Sequence, residues 1–205
     1  YLSFRDSDDF FEPAMLEKAY NLAEQNRADF VVYKSDQYHT EENKFVPVSW
    51  AVREQEIPPY PVFNYRQLTD NVFKVFVGWA YQEQRTSNDM LFVFSAIVLA
   101  QRISLLPEVL VHQRRDSKDS LSKTRENSWW CFHDALLALR ERLQKEGLYP
   151  ELEKDFINYA LHFTLWNYNT LAEPTKTTLK EKLAAEWLEE LGIAGKPGEY
   201  FYRAE

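Results

Sequence analysis

The first 33 residues combine two strand-like runs with one amphipathic run, and this pattern constrains the fold most. Residues 1–5 are rich in apolar side chains, and Pro13 stands where a helix can begin, since the first helical turn needs no N–H from it. Apolar residues recur at helical spacing from Met15 to Ala23, and residues 28–33 are mostly β-branched or aromatic. Strand, helix and strand in so short a span predict a βαβ unit, and hence an α/β fold with a parallel sheet.

Three carboxylates, those of Asp6, Asp8 and Asp9, lie at the corner between the first strand and the helix. Like charges this close raise one another's pKa unless a cation or hydrogen-bond donors compensate. Mg²⁺ is usually held by one or two carboxylates together with water and phosphate oxygens, and ligands of parallel sheets gather at the carboxyl ends of strands. The spacing alone fits two interpretations equally well: a cation site, or a helix start capped by Asp9 or Glu12.

Composition limits the classes of function. A hydrophobic content of 45% with 16% aromatic residues predicts a packed core, while a net charge of −8 argues against a nucleic-acid surface, which needs many Lys and Arg contacts. A small phosphorylated ligand needs only local donors or a metal. One cysteine, Cys131, rules out an internal disulfide and fits a reducing compartment. No apolar run reaches the roughly 18 residues that span a bilayer, so we expect a cytoplasmic protein, with attachment to a membrane surface left open.

Two later segments carry candidate chemistry. Asn88 is a good N-cap for the apolar run 90–100, which places Asp89 in the first turn of a buried helix. That carboxylate either faces a cleft or simply complements the helix dipole. Residues 112–125 are basic and rich in hydroxyls within an acidic chain, so they form either a phosphate-binding loop or a solvated loop.

The sequence patterns in the rest of the chain predict loops, short strands and a helical region. Residues 35–61 are polar and hold four of the nine prolines, which indicates a surface excursion with one short strand at 44–48. Two short strands are expected at 102–106 and 108–112, with Pro107 between them. The last third predicts three amphipathic helices joined by short connections, typical of an antiparallel cluster.

Three motifs in order carry a family resemblance: the run from Phe4 to Pro13 with its aspartates, Asn88-Asp89-Met90-Leu91-Phe92, and His112-Gln113-Arg114 with Ser120-Leu121-Ser122. Together they resemble the family 2 glycosyltransferases of the GT-A fold, particularly bacterial enzymes that build capsules, O-antigens and other surface polysaccharides. The resemblance covers about residues 1–125, and the rest resembles the helical tails of some members. It implies a partial GT-A (Rossmann-like) α/β catalytic domain over residues 1–122, followed by an all-α region over 123–205.

The resemblance also implies an activity, which is the inverting transfer of a sugar from a nucleotide-diphosphate sugar to a hydroxyl of a saccharide or lipid-linked acceptor. Asp6, Asp8 and Asp9 would correspond to the motif that holds Mg²⁺ or Mn²⁺, a Lewis acid for the leaving diphosphate. Asp89 would correspond to the general base that takes the proton of the acceptor hydroxyl. The remaining implied site residues are His112, Arg114 and Ser120 for the diphosphate and Trp79 on the acceptor side. No nucleic-acid partner is expected, and a location at the inner face of the membrane is compatible with this role.

The sequence departs from the family pattern in three ways. The nucleotide-binding half with which members begin, on the order of 90 residues, is not in this sequence. Ala80 joins Tyr81 directly where members carry a basic helical segment, and Asn88 and Arg5 stand where many members have Glu and Leu. The sequence leaves two other functions open: a non-catalytic module that docks a partner through its C-terminal helices, and a phosphohydrolase with an aspartate nucleophile. The second is disfavoured because no lysine or second acidic cluster supports it.

Overall fold

The computed structural model describes residues 1–3, 9–48, 52–76, 88–115 and 126–202, with the backbone alone described at positions 88 and 89. The chain divides into two compact units. The first consists of Tyr1–Trp79 with Ala96–Ser120, and the second of Ala80–Ser95 with Leu121–Glu205. The boundary that the sequence predicted between residues 122 and 123 stays a prediction.

A four-stranded mixed sheet forms the first unit. Its strands lie in the order β1-β4-β2-β3, where β2 and β4 are parallel and the two outer pairs are antiparallel. The strands are β1 (Phe10–Phe11), β2 (Phe30–His39), β3 (Lys44–Pro47) and β4 (Ile103–Arg115). The expected parallel pairing therefore exists, but between β2 and β4. Residues 1–3 form no strand, and the part of the aspartate motif from residue 4 to residue 8 lies outside the described residues.

The strand β4 is continuous where the sequence predicted two short strands around Pro107. Register with β2 shifts at this point, from Tyr33 opposite Leu106 to Lys34 opposite Val109. Extra residues on β4 form a bulge, and a bulge accommodates a proline because it leaves a position outside the hydrogen-bond ladder. In a regular ladder Pro107 would interrupt the strand. Because of the bulge, β4 continues past Pro107 to Arg115.

Helix α1 (Met15–Asn26) packs on one face of this sheet. Met15 is buried against Leu110 and Val111 of β4, with Phe11 partly buried beside them. The helix ends at Arg27, whose left-handed backbone directs its N–H to the carbonyl oxygens of the last turn. Two 3-10 helices (Glu54–Glu56 and Tyr65–Gln67) and the short helix α2 (Val72–Val75) also lie in the part of this unit that the structure describes.

Helices make up the second unit. The described helices are α3 (Asn88–Leu99), which contributes residues to both units, then α4 (Cys131–Lys145), α5 (Tyr149–Thr170), α6 (Thr175–Lys182), a π-helical segment (Leu183–Trp187), α7 (Leu188–Glu190) and a 3-10 helix (Gly198–Tyr200). Tyr159 of α5 is fully buried, with its ring 5.0 Å from that of Phe94. The prediction of an α/β region followed by a helical region is therefore confirmed. Among the described helices, none is both long and apolar enough to cross a membrane.

Candidate functional site

Strand β4 ends beside residues 9–12, where the aspartate motif ends, and hydrogen bonds join this segment to the strand. Phe10 of β1 lies opposite His112 in the antiparallel register. The backbone N–H of Arg114 donates to Oδ1 of Asp9 at 3.0 Å, across 105 positions of sequence, and the N–H of Glu12 donates to the carbonyl of Leu110 at 3.0 Å. The sheet therefore brings the end of the aspartate motif next to the start of the basic segment.

His112 is held between two carboxylates. Its Nδ1 lies 2.6 Å from Oδ1 of Asp36, on the neighbouring strand β2, and its Nε2 lies 3.0 Å from Oε1 of Glu12. Both ring nitrogens can donate to ionised carboxylates only when the ring carries two protons, so this geometry selects the imidazolium. Burial favours the neutral ring, but the hydrogen bonds to Asp36 and Glu12 outweigh it and raise the pKa of His112 above its ordinary value.

Three aromatic side chains lie on the face of the sheet that carries His112. We call the group formed by Phe10, Tyr38, Phe45 and His112 the aromatic face. Tyr38 lies 5.1 Å from Phe10 and 5.0 Å from Phe45 between ring centroids, and Phe45 lies 4.7 Å from His112. The guanidinium of Arg114 lies over the Phe10 ring at 4.6 Å. Phe10 remains 37% exposed and Phe45 55% exposed, so both rings offer surface to a ligand.

The structure brings together three of the residues predicted for the site: Asp9, His112 and Arg114. Asp89 lies in the first turn of α3, where only its backbone is described. The other four predicted site residues, Asp6, Asp8, Trp79 and Ser120, lie outside the described residues. Their roles stay predictions.

The expected metal ion has no complete donor set in the part of the chain that the structure describes. Within it, no group of three or more His, Cys, Asp or Glu side chains could hold a metal ion. Asp9 offers a carboxylate of the type that Mg²⁺ and Mn²⁺ prefer, although one of its oxygens accepts from the backbone of Arg114. The metal prediction therefore depends on residues beyond those described.

Sequence reasoning missed the partners of His112. The polar composition of residues 35–61 predicts a loop at Asp36, whereas β2 continues through Asp36 to His39 and a hairpin joins it to β3. The signal for this hairpin was the four-residue polar connection 40–43, in which Asn43 adopts a positive φ of 49°. For Glu12 the sequence predicts only a possible helix cap, because its hydrogen-bond partner His112 lies 100 positions away.

The N-terminal part of the chain, which contains Asp9, Glu12 and Asp36, is similar to a known protein family. Residues 1–85 match the family model described as Glycosyl transferase family 2. The resemblance predicted from the sequence motifs is therefore confirmed over that part of the chain. No curated protein matches the sequence.

A similar solved structure is the crystal structure of S. aureus TarS 1-349 in complex with UDP. It is 14% identical to this chain, with a TM-score of 0.36, and the similarity covers 93% of this chain and 64% of that one. The chain thus spans less than two thirds of that structure's length.

Proposed function

We propose that this chain is part of an inverting glycosyltransferase that moves a sugar from a nucleotide-diphosphate sugar to an acceptor hydroxyl in bacterial surface polysaccharide synthesis. One observation carries the proposal: the corner at Asp9 and the strand end at Arg114 are joined by a hydrogen bond. The motif resemblance assigns the first segment, which lies within the matched residues 1–85, to the metal and the second, which lies outside them, to the diphosphate. Their adjacency is what a single diphosphate site requires.

Positive charge on the diphosphate side comes from His112 and Arg114. The guanidinium of Arg114 offers a planar fork of donors that matches phosphate oxygens, and the hydroxyl of Ser120 is proposed to add a further donor. His112, held as an imidazolium by Asp36 and Glu12, has a fixed ring orientation. We assign Asp6, Asp8 and Asp9 as the residues that would hold Mg²⁺ or Mn²⁺, which when bound offsets charge on the leaving diphosphate.

Asp89 is proposed to accept the proton of the acceptor hydroxyl as that oxygen attacks the sugar. The backbone of Asp89 lies in the first turn of α3, and a carboxylate is a residue type that can take this proton. Trp79 is proposed to lie on the acceptor side. This role would place the protein in the cytoplasm, at the inner face of the membrane where the acceptor is lipid-linked.

Thermal unfolding of the full-length protein tests the proposal. Mn²⁺ together with a nucleoside diphosphate should raise the Tm, because a ligand at 100 times its Kd adds about 2.7 kcal/mol to the free energy of unfolding. Asp8→Ala should abolish the shift, whereas Asp134→Ala, a control at a carboxylate whose side chain is 71% exposed, should preserve it. If no common nucleoside diphosphate shifts the Tm of the unaltered protein, the proposal is wrong and the non-catalytic module gains support.

A further inference from the structure

We propose that Phe10 is a positioning residue that orients the guanidinium of Arg114 for the donor diphosphate, an inference that rests on the proposed function of Arg114. The motif resemblance gives Phe10 no role of its own. In the structure the guanidinium of Arg114 lies over the Phe10 ring, 4.6 Å from the ring centroid. This separation is within the range of a cation–π interaction, which holds a cation over the face of an aromatic ring.

The sheet places Arg114 between two aromatic side chains. Phe10 of β1 pairs with His112 of β4, and Arg114 follows on the same face of β4, because side chains alternate along a strand. Phe10 and Arg114 are therefore diagonal neighbours, a spacing that a long side chain and an aromatic ring can bridge. On the other side of β4, Tyr38 of β2 pairs directly with Arg114.

Phe10 belongs to the aromatic face, whose rings hold one another in place. Its ring meets that of Tyr38 edge to face, with 5.1 Å between the centroids and an interplanar angle of 89°. The hydroxyl of Tyr38 donates to the side-chain oxygen of Asn43 at 2.7 Å, and its ring lies 5.0 Å from that of Phe45. Because these contacts fix its neighbour, Phe10 offers the guanidinium a defined support.

A ring orients a guanidinium without competing for its hydrogen-bond donors. The attraction comes from the quadrupole of the ring, whereas a carboxylate would bind the planar fork of N–H groups. Arg114 is exposed, and among the described residues its guanidinium forms no ion pair. The fork of donors is therefore available to phosphate oxygens while the ring limits its orientation.

The carboxylate of Asp9 explains why the guanidinium needs this support. One oxygen of Asp9 accepts from the backbone N–H of Arg114 at 3.0 Å, and Asp9 is one of the residues proposed for the metal. A guanidinium free to turn towards that carboxylate would pair with it, which would occupy the donors and the metal ligand together. The attraction of the Phe10 ring opposes this pairing and keeps the positive charge available for the diphosphate.

A double-mutant cycle in the full-length protein tests the inference. The Kd is measured by calorimetry for Mn²⁺ with whichever of UDP, GDP and CDP raises the Tm most. Phe10→Ile keeps an apolar, strand-favouring side chain without the ring, and it should weaken binding about two- to fivefold, the range for one exposed cation–π contact. Arg114→Ala should weaken binding about tenfold or more. In the Arg114→Ala background, Phe10→Ile should change the Kd less than about 1.5-fold, because its effect passes through the guanidinium.

Two further variants separate positioning from a structural role. Phe10→Tyr restores a ring face and should bind the diphosphate as the unaltered protein does. Tyr60→Ile is the matched control, since Tyr60 is 60% exposed and precedes Phe63, which pairs with Ile103 at the opposite end of β4. It should leave the Kd unchanged. If Phe10→Ile does not fold, Phe10→Leu takes its place in the cycle.

Three results would overturn the inference. These are an equal loss of affinity from Phe10→Ile in both backgrounds, an unchanged Kd in a Phe10→Ile variant whose Tm shows that it is folded, and a Phe10→Tyr variant that binds no better than Phe10→Ile. Each leaves the proposed function standing, because the unaltered protein still binds the diphosphate. If none of the three diphosphates with Mn²⁺ shifts the Tm of the unaltered protein, the proposed function fails and this inference fails with it.

Discussion

At the scale of single residues, His112 shows how a sheet assembles a polar group from distant parts of the chain. Phe10, His112 and Asp36 lie in one row across β1, β4 and β2, and Glu12 follows β1 directly. Asp36 is itself mostly buried, with a side chain 13% exposed, so it cannot rely on water to stabilise its charge. The ion pair with the imidazolium satisfies both groups, and it favours the charged form of a ring whose side chain is only 14% exposed.

Stability should depend on pH through His112. Its pKa is raised in the folded protein, so this contribution is fully present below the pKa of an unfolded histidine, about 6.5, and is lost as the pH rises through the higher folded-state pKa. Asp36→Asn removes the charged partner and should lower the free energy of unfolding by about 1.5–3 kcal/mol near pH 6. The difference from the unaltered protein should shrink at alkaline pH, as measured by urea unfolding across the pH range.

The control for this experiment is Glu42→Gln, which alters a carboxylate whose side chain is 56% exposed and which pairs with Lys44. An exposed pair contributes little, so its unfolding curves should nearly coincide with those of the unaltered protein. Parallel pH profiles for Asp36→Asn and the unaltered protein would show that His112 is not held as a cation by Asp36.

At the scale of elements, the end of helix α4 depends on a backbone conformation that most residues avoid. Helix α4 ends before Gly147, which has a φ of 72°, and the following N–H of Leu148 donates to the carbonyl of Leu143 at 2.9 Å. Glycine adopts this left-handed conformation without the steric cost that a Cβ imposes. The turn between α4 and α5 therefore depends on this one residue type.

Substituting this glycine tests that dependence. A Cβ at position 147 would meet no atom within 4 Å, so Gly147→Ala should cost only the backbone strain, about 1–2 kcal/mol in the free energy of unfolding. Gly198→Ala is the matched control, because a Cβ there is also in open space and its φ is not in the left-handed range. It should change stability by less than about 0.5 kcal/mol. Equal losses in the two variants, measured by urea unfolding, would contradict this explanation.

At the scale of the whole molecule, each unit has its own core. In the first, Val32 of β2 and Ile103 of β4 are fully buried. In the second, Phe156 and Tyr159 of α5 are fully buried. Cores built from separate sets of residues are expected to open as separate cooperative regions.

Hydrogen exchange can separate the two cores. Phe156→Ala should cost about 3–5 kcal/mol and speed amide exchange in helices α4 and α5, while amides of β2 and β4 keep their protection. Leu165→Ala is the control on the same helix, where the side chain is 50% exposed and truncation should cost less than about 0.5 kcal/mol. Equal acceleration in the β2 and β4 amides would show that the two units unfold as one.

Much of the local structure could be predicted from the sequence by itself. The pattern from Met15 onward predicted α1, the apolar run 90–100 predicted α3, and the stripes of the last third predicted the helical region, because a helix depends on residues three and four positions apart. The order of the motifs predicted the family that residues 1–85 match. Periodicity did not identify which apolar residues would be buried: Leu16 and Tyr20 of α1 are each 55% exposed.

Only the tertiary structure decided the pairing of the strands and hence the surroundings of the candidate site. Strand β4 continues past Pro107 because β2 pairs with it on both sides of a bulge, and the partners of His112 lie 76 and 100 positions away in sequence. A strand's partner depends on packing and register with distant residues, which no local pattern encodes. The sequence alone therefore determined the helices and the motif at Asp9, and the sheet determined that Glu12, Asp36 and Phe45 lie beside His112.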